Sequence, residues 1–359
     1  MNAGKLNAAL CALLLLSSCG GTVTVITNPP PGPAPPPVTP PLPTPSVPFR
    51  VETFVPNANF PVSLAFAPDG RLFYTELQSG NVRIVSNGQL QAQPFVTVPV
   101  LAAGEQGLLG LALDPNFASN RFVYIYYTHP SPPRNRVVRY TDSSGGAANE
   151  TVIADSLPTN GNHVGGRLAF GPDGMLYITQ GDVGSPANSQ SRGNIFRYNT
   201  ASTLPVGQVF ALGLRNPFGI AFHPATGTAY ASDNGPNCDD EINRVVLQGN
   251  YGWRPAYPCG DTDPQYRQPG IRFNPVIAPT GIAFYRGSVF PEWRSHLFLA
   301  SYVDGFLRRY VVNELDIGQA LEQQVIINGG FGALIDVKEG TDGNLYVAAQ
   351  GAILRVVRQ

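Results

Sequence analysis

The chain has 359 residues, of which 43% are hydrophobic and 13% charged, and its formal net charge is −1. Its 39 glycines and 35 prolines argue against a helical bundle and favour an all-β protein of short strands joined by turns. The sequence contains no run of Lys and Arg that would supply the electrostatic footprint of a nucleic-acid-binding protein, so no nucleic-acid partner is expected.

Residues 1–18 are predicted to be a lipoprotein signal peptide. Lys5 precedes an apolar run, residues 6–16, that is too short to cross a bilayer core of about 30 Å as a helix. The following Ser-Ser-Cys resembles the end of a bacterial lipobox, in which Cys19 becomes the lipidated first residue of the mature chain. An ordinary secretory signal cut near Ser18 is the alternative. Either interpretation predicts export, and the lipobox predicts that a lipid anchor holds the protein to the cell envelope, at a periplasmic or outer surface.

Residues 19–48 are predicted to be a Pro-rich linker. Most residues between Asn28 and Pro48 are prolines, which favours an extended polyproline II chain of about 3.1 Å per residue over helix or sheet. Such a tether could hold a domain roughly 60 Å from its anchor, and a Pro-rich ligand for a partner domain is the alternative. The folded domain is then expected at residues 49–359.

Six copies of one pattern follow: an apolar strand, a turn built on Pro, Asp or Gly, and a second apolar strand. The copies are residues 64–74, 111–126, 168–177, 220–230, 282–299 and 337–346. Each copy precedes a strand with a central arginine, and these are Arg83, Arg139, Arg197, Arg244, Arg309 and Arg355. Two patterns with the same count and order predict a six-bladed β-propeller of four-stranded blades, with the arginines as structural ties between outer strands. Residues 49–55 are expected to close the ring by pairing with the blade that ends near Gln359.

Two cysteines remain in the predicted domain, Cys238 and Cys259. In an exported protein an even pair favours a disulfide, which would close a loop of about 20 residues and contribute on the order of 3 kcal/mol. Two buried free thiols are the alternative.

Three loops that lead into inner strands are unusually polar. They are expected to place Gln106, His163, Arg215 and Asn216 around one end of the central channel, where they would combine a base with a cation. A lone His beside glycines is more often a structural turn residue, and that alternative stays open for His163.

Residues 233–253, followed by Asp261, crowd carboxylates, asparagines and turn carbonyls into an irregular stretch. A hard cation such as Ca²⁺ needs such a stretch, because it takes about six to eight oxygen ligands. The spacing is not that of an EF-hand, and an acidic surface loop is the alternative.

Four stretches together resemble the soluble quinoprotein glucose/sorbosone dehydrogenases, or aldose sugar dehydrogenases, which use pyrroloquinoline quinone (PQQ) and calcium on a six-bladed propeller. The stretches are residues 106–110, 163–167, 213–219 and 233–253, and the resemblance runs over essentially all of residues 49–359. It implies that the protein oxidises the C1 hydroxyl of an aldose to a lactone with hydride transfer to PQQ. The substrate would be a small-molecule sugar, and the sequence does not identify the electron acceptor.

The resemblance also implies roles for the residues at the channel. His163 resembles the general base that takes the proton of the sugar C1 hydroxyl, a role that suits imidazole because it exchanges protons near neutral pH. Arg215 and Asn216 resemble the residues that face the quinone oxygens, where a fixed positive charge stabilises the reduced cofactor. Gln106 resembles the glutamine that contacts the substrate.

Calcium is implied in the same way. The carbonyls of Gly235 and Pro236 match ligands of the calcium ion that also grips PQQ. Glu241, Tyr251 and Asp261 match ligands of further calcium sites. A disulfide between the two cysteines would staple this region.

Three positions depart from the family pattern. The glucose enzymes meet the three PQQ carboxylates with one Lys and two Arg at the positions of Val303, Ala333 and Ile335. Charge-assisted hydrogen bonds are worth about 1.5–3 kcal/mol each, so weaker PQQ binding is expected here. The candidates for compensation are Arg272, Arg286 and Arg308.

Two alternatives to a sugar dehydrogenase follow from these departures and from the fold. One is a non-catalytic cell-surface propeller that has lost PQQ and binds carbohydrate or protein. The other is a metal-dependent lactonase.

Overall fold

The computed structural model describes residues 47–144, 146–185, 192–202, 205–312 and 321–359. The predicted signal peptide, Cys19 and all but the last two residues of the predicted linker lie outside this part of the chain. Within it, no helix is long and apolar enough to cross a membrane.

The described strands form six sheets, which are the six blades of the predicted β-propeller. Blade 1 contains Pro61–Phe66, Leu72–Glu76, Asn81–Ser86, Gln89–Leu90 and Val96–Thr97, and blade 2 contains Leu108–Leu113, Phe122–Pro130, Pro133–Ser143 and Gly146–Leu157. Blade 3 contains Leu168–Phe170, Leu176–Gln180, Asn194–Tyr198, Gln208–Leu212 and Gly249–Asn250, and blade 4 contains Pro217–Phe222, Ala229–Asp233, Asp240–Val245 and Ile271–Phe273. Blade 5 contains Pro279–Phe284, Leu297–Ser301, Phe306–Val311 and Leu321–Asn328, and blade 6 contains Leu334–Glu339, Leu345–Ala349, Ala352–Arg358 and Phe49–Pro56. The described helices are single turns, Phe117–Asn120 and the 3₁₀ turn Pro291–Trp293.

The ring closes as the sequence predicts. Strand Phe49–Pro56 pairs antiparallel with Ala352–Arg358, so the start and the end of the domain share one sheet. Across this seam Arg355 Nε donates a hydrogen bond of 2.8 Å to Glu52. The ring therefore cannot open without breaking a complete strand pairing.

Aromatic pairs hold neighbouring blades together. At four of the blade boundaries a tyrosine of one blade's second strand meets a phenylalanine at the end of the next inner strand. These pairs are Tyr346 with Phe66, Tyr124 with Phe170, Tyr177 with Phe222 and Tyr230 with Phe284, with ring centroids 4.7 to 5.2 Å apart. Each pair contributes about 0.5–1.5 kcal/mol beyond the area that it buries. The apolar core therefore lies between blades rather than within any one of them.

Arg167 spans the central channel. Its side chain enters from the loop before blade 3, and its guanidinium donates to the carbonyl oxygens of Val62 in blade 1 and Ile335 in blade 6, at 3.1 and 3.2 Å. Its Nη1 lies 3.2 Å from an Asp336 carboxylate oxygen, and its Cζ lies 5.0 Å from the centre of the Phe218 ring in blade 4. Arg167 is 3% exposed. One buried side chain thus links four blades.

Four of the repeated arginines tie outer segments of their blades, as expected: Arg83, Arg139, Arg197 and Arg355. The arginine of blade 5, Arg309, is buried and ties its strand to the loop between the first two strands of that blade instead. Arg309 Nη1 donates to Nδ1 of His296 at 2.7 Å, and its Cζ lies 6.0 Å from the Trp293 ring centre. Burial and the neighbouring Arg309 charge lower the pKa of His296 to about 4. His296 therefore stays neutral in the native protein while it titrates near 6.5 in the unfolded chain.

We expect this histidine to make the protein less stable in acid. The stability that neutral His296 contributes is complete above about pH 6.5 and is lost as the pH falls towards 4. In that range the histidine of the unfolded chain is protonated, while the histidine of the folded chain stays neutral. The loss is at most about 3 kcal/mol, reduced by solvent screening of the half-buried ring. Urea denaturation at pH 7.5 and pH 4.5 should show a smaller acid loss in His296→Gln than in the wild type. Equal losses in the two proteins would contradict the assignment.

Candidate functional site

A cavity of about 460 Å³ opens at one end of the channel, where the inner strands begin. His163, Arg215 and Asn216 line it, together with Gly235 and Pro236. The structure thus brings together the predicted base, the predicted cation and the predicted calcium-binding carbonyls, although they come from different blades. A cleft of about 530 Å³ between blades 2 and 3 is slightly larger, but none of these residues lies there.

His163 forms a pair with an aspartate that the sequence analysis did not single out. His163 Nδ1 lies 2.6 Å from Asp182 Oδ1, and the second Asp182 oxygen accepts a hydrogen bond of 2.7 Å from Trp253 Nε1. Burial raises the pKa of Asp182, but the hydrogen bonds from His163, the backbone of Gly184 and Trp253 outweigh it, so the pKa lies below its ordinary value. An ionised carboxylate only accepts hydrogen bonds, so Nδ1 carries the proton and Nε2 is the basic nitrogen.

Glu105 is the second functional candidate that the sequence analysis missed. It lines the cavity, and its Oε2 accepts hydrogen bonds from the backbone N–H of His163 at 2.9 Å and from Asn216 Nδ2 at 3.1 Å. His163 has φ of +49°, a left-handed conformation that costs a non-glycine residue roughly 1–2 kcal/mol. The Glu105 carboxylate therefore helps to hold the base in a conformation that it does not prefer.

Gln106 does not line the cavity. It is 4% exposed, and its Nε2 donates a hydrogen bond of 2.7 Å to Thr159. Gly107 follows Gln106 with φ of +147°, and any Cβ there would collide with the carbonyl of Leu77. The neighbouring Glu105 lines the cavity instead.

Arg215 is the one cation among the described residues that line the cavity. Its Nη1 donates to the carbonyl oxygens of Asn234 and Gly235, at 3.0 and 2.6 Å, and its Cζ lies 5.5 Å from the Trp253 ring centre. Ile335 also lines the cavity, whereas Val303 is 65% exposed at the surface.

None of the arginines considered for compensation lines the cavity. Arg308 pairs with Asp304, Arg272 lies 3.9 Å from Glu241, and Arg286 lies at the other end of the channel. Ala333 is buried and does not line the cavity either.

Three buried carboxylates, those of Asp233, Asp239 and Glu241, surround a void of about 10 Å³ beside Gly235 and Pro236. Burial, and secondarily the Glu241 charge, raise the pKa of Asp233 to about 8. Burial likewise raises the pKa of Glu241 to about 7. Burial disfavours the ionised form of each carboxylate, and a bound cation would oppose that effect. Buried carboxylates beside backbone carbonyls are the oxygen ligands that a hard cation takes.

Of the other two predicted calcium ligands, Tyr251 lines this void and Asp261 does not. Asp261 forms an ion pair of 2.7 Å with Arg254, and the Tyr251 hydroxyl donates to the carbonyl of Arg244 at 2.6 Å. No group of three or more His, Cys, Asp and Glu side chains in the described part of the chain has the arrangement of a metal site. Calcium binding therefore stays a prediction.

The Cys238–Cys259 disulfide is present, with an S–S distance of 1.97 Å. It encloses Asp239, Glu241 and Trp253, so it ties the carboxylate cluster to the tryptophan that holds Asp182.

The fold and the cavity define a six-bladed β-propeller with a His–Asp pair, an arginine and an asparagine at one channel mouth. Residues 58–358 match the glucose/sorbosone dehydrogenase family, and the chain belongs to that family. The aldose sugar dehydrogenase of Escherichia coli K12 is 27% identical over 345 residues, which cover 86% of this chain and 92% of that protein.

Two solved structures extend the comparison. An oxidoreductase from Thermus thermophilus, described as a glucose dehydrogenase, is 34% identical with a TM-score of 0.77, over 86% of this chain and 100% of that one. The PQQ-bound aldose sugar dehydrogenase of Streptomyces coelicolor is 26% identical with a TM-score of 0.75, over 88% of this chain and 100% of that one.

We expect the disulfide to stabilise the site region measurably. Replacing both cysteines by serine should lower the free energy of unfolding by about 3 kcal/mol. The disulfide stabilises the fold mainly because it restricts the conformations of the unfolded chain, and a loop of this length accounts for an effect of that size. Urea denaturation measures the difference. The wild type with reductant should show the same loss, and the double variant should not respond to reductant. An unchanged midpoint in the double variant would show that packing alone holds the loop.

Proposed function

We propose that this protein is a sugar oxidoreductase that oxidises the C1 hydroxyl of an aldose to the lactone. The observation that carries the proposal is the convergence of His163, held by Asp182, with Arg215 and Asn216 in one cavity. Membership of a family of sugar dehydrogenases supports an oxidation chemistry for that cavity.

The residues of the cavity fit PQQ in part. Arg215, the Asn216 amide and the carbonyls of Gly235 and Pro236 offer the cation, hydrogen-bonding groups and oxygen ligands that a quinone and its calcium ion need. Among the described lining residues, Arg215 is the one cation that would face the three carboxylates of PQQ, and the Glu105 carboxylate lies nearby. Weak PQQ binding is therefore expected. When bound, PQQ supplies the hydride acceptor for the oxidation.

His163 acts as the general base in this proposal. Its Nε2 accepts the proton of the sugar C1 hydroxyl as the C1 hydride leaves, and Asp182 stabilises the imidazolium that forms. Trp253 and the backbone of Gly184 fix the Asp182 carboxylate, so the imidazole ring has one preferred orientation. Such positioned proton transfer contributes roughly 10²- to 10⁴-fold to turnover.

Calcium is the second proposed cofactor. Gly235 and Pro236 carbonyls lie beside the buried carboxylates of Asp233, Asp239 and Glu241, and a bound Ca²⁺ would balance their charge. Export and a lipid anchor at Cys19 are proposed from the sequence alone, and the electron acceptor would then be a partner within the cell envelope.

A non-catalytic propeller is the alternative, and one observation favours it. Ile335 presents an apolar side chain to the cavity at a position where the family's glucose enzymes carry a cation. A propeller that had lost PQQ binding would show such a loss of positive charge from the cavity.

Replacing His163 by Ala should lower aldose-dependent dye reduction, measured with PQQ and Ca²⁺, by about 10²- to 10⁴-fold because no base remains. Asp182→Asn should also lower turnover, since an amide can offer its N–H to Nδ1 and favour the wrong tautomer. His129→Ala, the same change outside the cavity, is the matched control and should keep full activity. Full activity in His163→Ala would remove this residue from the mechanism.

Calorimetric titration of the purified protein with PQQ, with calcium present, should separate the dehydrogenase from the alternative. We expect binding that Arg215→Gln weakens about tenfold or more, because the main opposing cation is lost. Ile335→Arg should tighten binding, since its side chain faces the cavity. Leu247→Arg adds the same charge on an exposed loop and should change nothing. Absence of PQQ binding in the wild type and in Ile335→Arg would favour the non-catalytic propeller.

A further inference from the structure

A second cavity, of about 330 Å³, lies at the opposite end of the channel, where the inner strands end. Phe170, Phe222 and Phe284, the last residues of the inner strands of blades 3, 4 and 5, line it together with Lys338 of blade 6. Arg286 lies at its rim. Its volume falls at the lower end of the range for small-molecule sites, about 300–1,000 Å³.

Positive charge exceeds negative charge at the base of this cavity. Lys338 Nζ lies 3.6 Å from Asp336 Oδ1, but the second oxygen of the same carboxylate already faces Arg167 at 3.2 Å. One carboxylate thus serves two cations. At the rim, Glu339 accepts a hydrogen bond of 2.6 Å from the backbone N–H of Arg286. Among these described groups there are three cations and two carboxylates. The cations are Arg167, Lys338 and Arg286, and the carboxylates are those of Asp336 and Glu339.

An excess cation in a half-buried place is costly unless an anion accompanies it. Burial is the main cause that lowers the pKa of Lys338, and the Asp336 charge opposes it more than the Arg167 charge adds to it. A bound anion would supply the negative charge that balances the excess cation.

We propose that this second cavity binds a small organic monoanion, a carboxylate on an aromatic or other apolar body, with Lys338 as its charged contact. A single excess charge matches a monoanion better than phosphate or sulfate. The three phenylalanines offer apolar surface and ring edges to the body of the ligand and few polar partners to a fully hydrated ion. This site is separate from the cavity lined by His163, because the buried Arg167–Asp336 pair lies between the two. The proposed function assigns that cavity to the sugar, and it is called the sugar cavity below.

Benzoate and benzamide are the probes, since they share a shape and differ in charge. Calorimetry on the full chain without PQQ should show benzoate binding about tenfold or more tightly than benzamide, because only benzoate forms a charge-assisted hydrogen bond with the ammonium group. Lys338→Met should abolish that preference. Arg50→Met, which removes one positive charge from an exposed strand, is the matched control and should keep it. Equal binding of the two probes to the wild type would overturn the proposal.

A second measurement locates the ligand without any variant. Lys338 is the one lysine in the chain besides Lys5, so its acetylation by acetic anhydride can be followed by mass spectrometry of one peptide. Benzoate should slow this acetylation and benzamide should not. Benzoate binding that leaves Lys338 unprotected, or that Arg215→Gln abolishes, would place the ligand in the sugar cavity and overturn the proposal.

Discussion

The buried contact between Arg167 and Asp336 is the constraint on which the architecture of the channel depends. A propeller ring has no single core, because its apolar contacts lie between neighbouring blades. Arg167 acts across the ring instead, since its guanidinium reaches backbone carbonyls of blades 1 and 6 from a loop before blade 3. Removing the Asp336 carboxylate would leave the buried Arg167 guanidinium without its ion-pair partner, which costs about 3–5 kcal/mol. The same contact divides the channel into two cavities with different chemistry.

Ile335 takes part in both the Arg167 contact and the cavity. Its carbonyl accepts a hydrogen bond from Arg167, while its side chain lines the cavity that contains His163. Among the described lining residues, positive charge in that cavity is concentrated on Arg215, whose guanidinium donates to two carbonyls beside the acidic cluster.

The repeats could be predicted from the sequence because turn residues and apolar strands recur at a regular length, and local turn chemistry is visible without any tertiary contact. The disulfide was predictable because the domain holds only one pair of cysteines. Asp182 and Glu105 were not, because they meet His163 from 19 and 58 residues away in the chain. The Asp182 contact depends on the pairing of the first two strands of blade 3, and the Glu105 contact depends on the packing of blade 2 against blade 3. Choosing between Glu105 and Gln106 required their side-chain positions in the folded loop, and residue spacing does not reveal those positions.

At His163 the cavity combines a fixed ring orientation with a left-handed backbone conformation. Asp182 fixes the ring through Nδ1, and Glu105 fixes the backbone through its N–H, so two carboxylates act on one residue. Glu105 also holds the Asn216 amide, whose Oδ1 accepts a hydrogen bond of 3.1 Å from the backbone of Gly165. The left-handed conformation of His163 is therefore stabilised by the same groups that orient its neighbours. A change at any of these contacts would move the base and the asparagine together, because one carboxylate joins them.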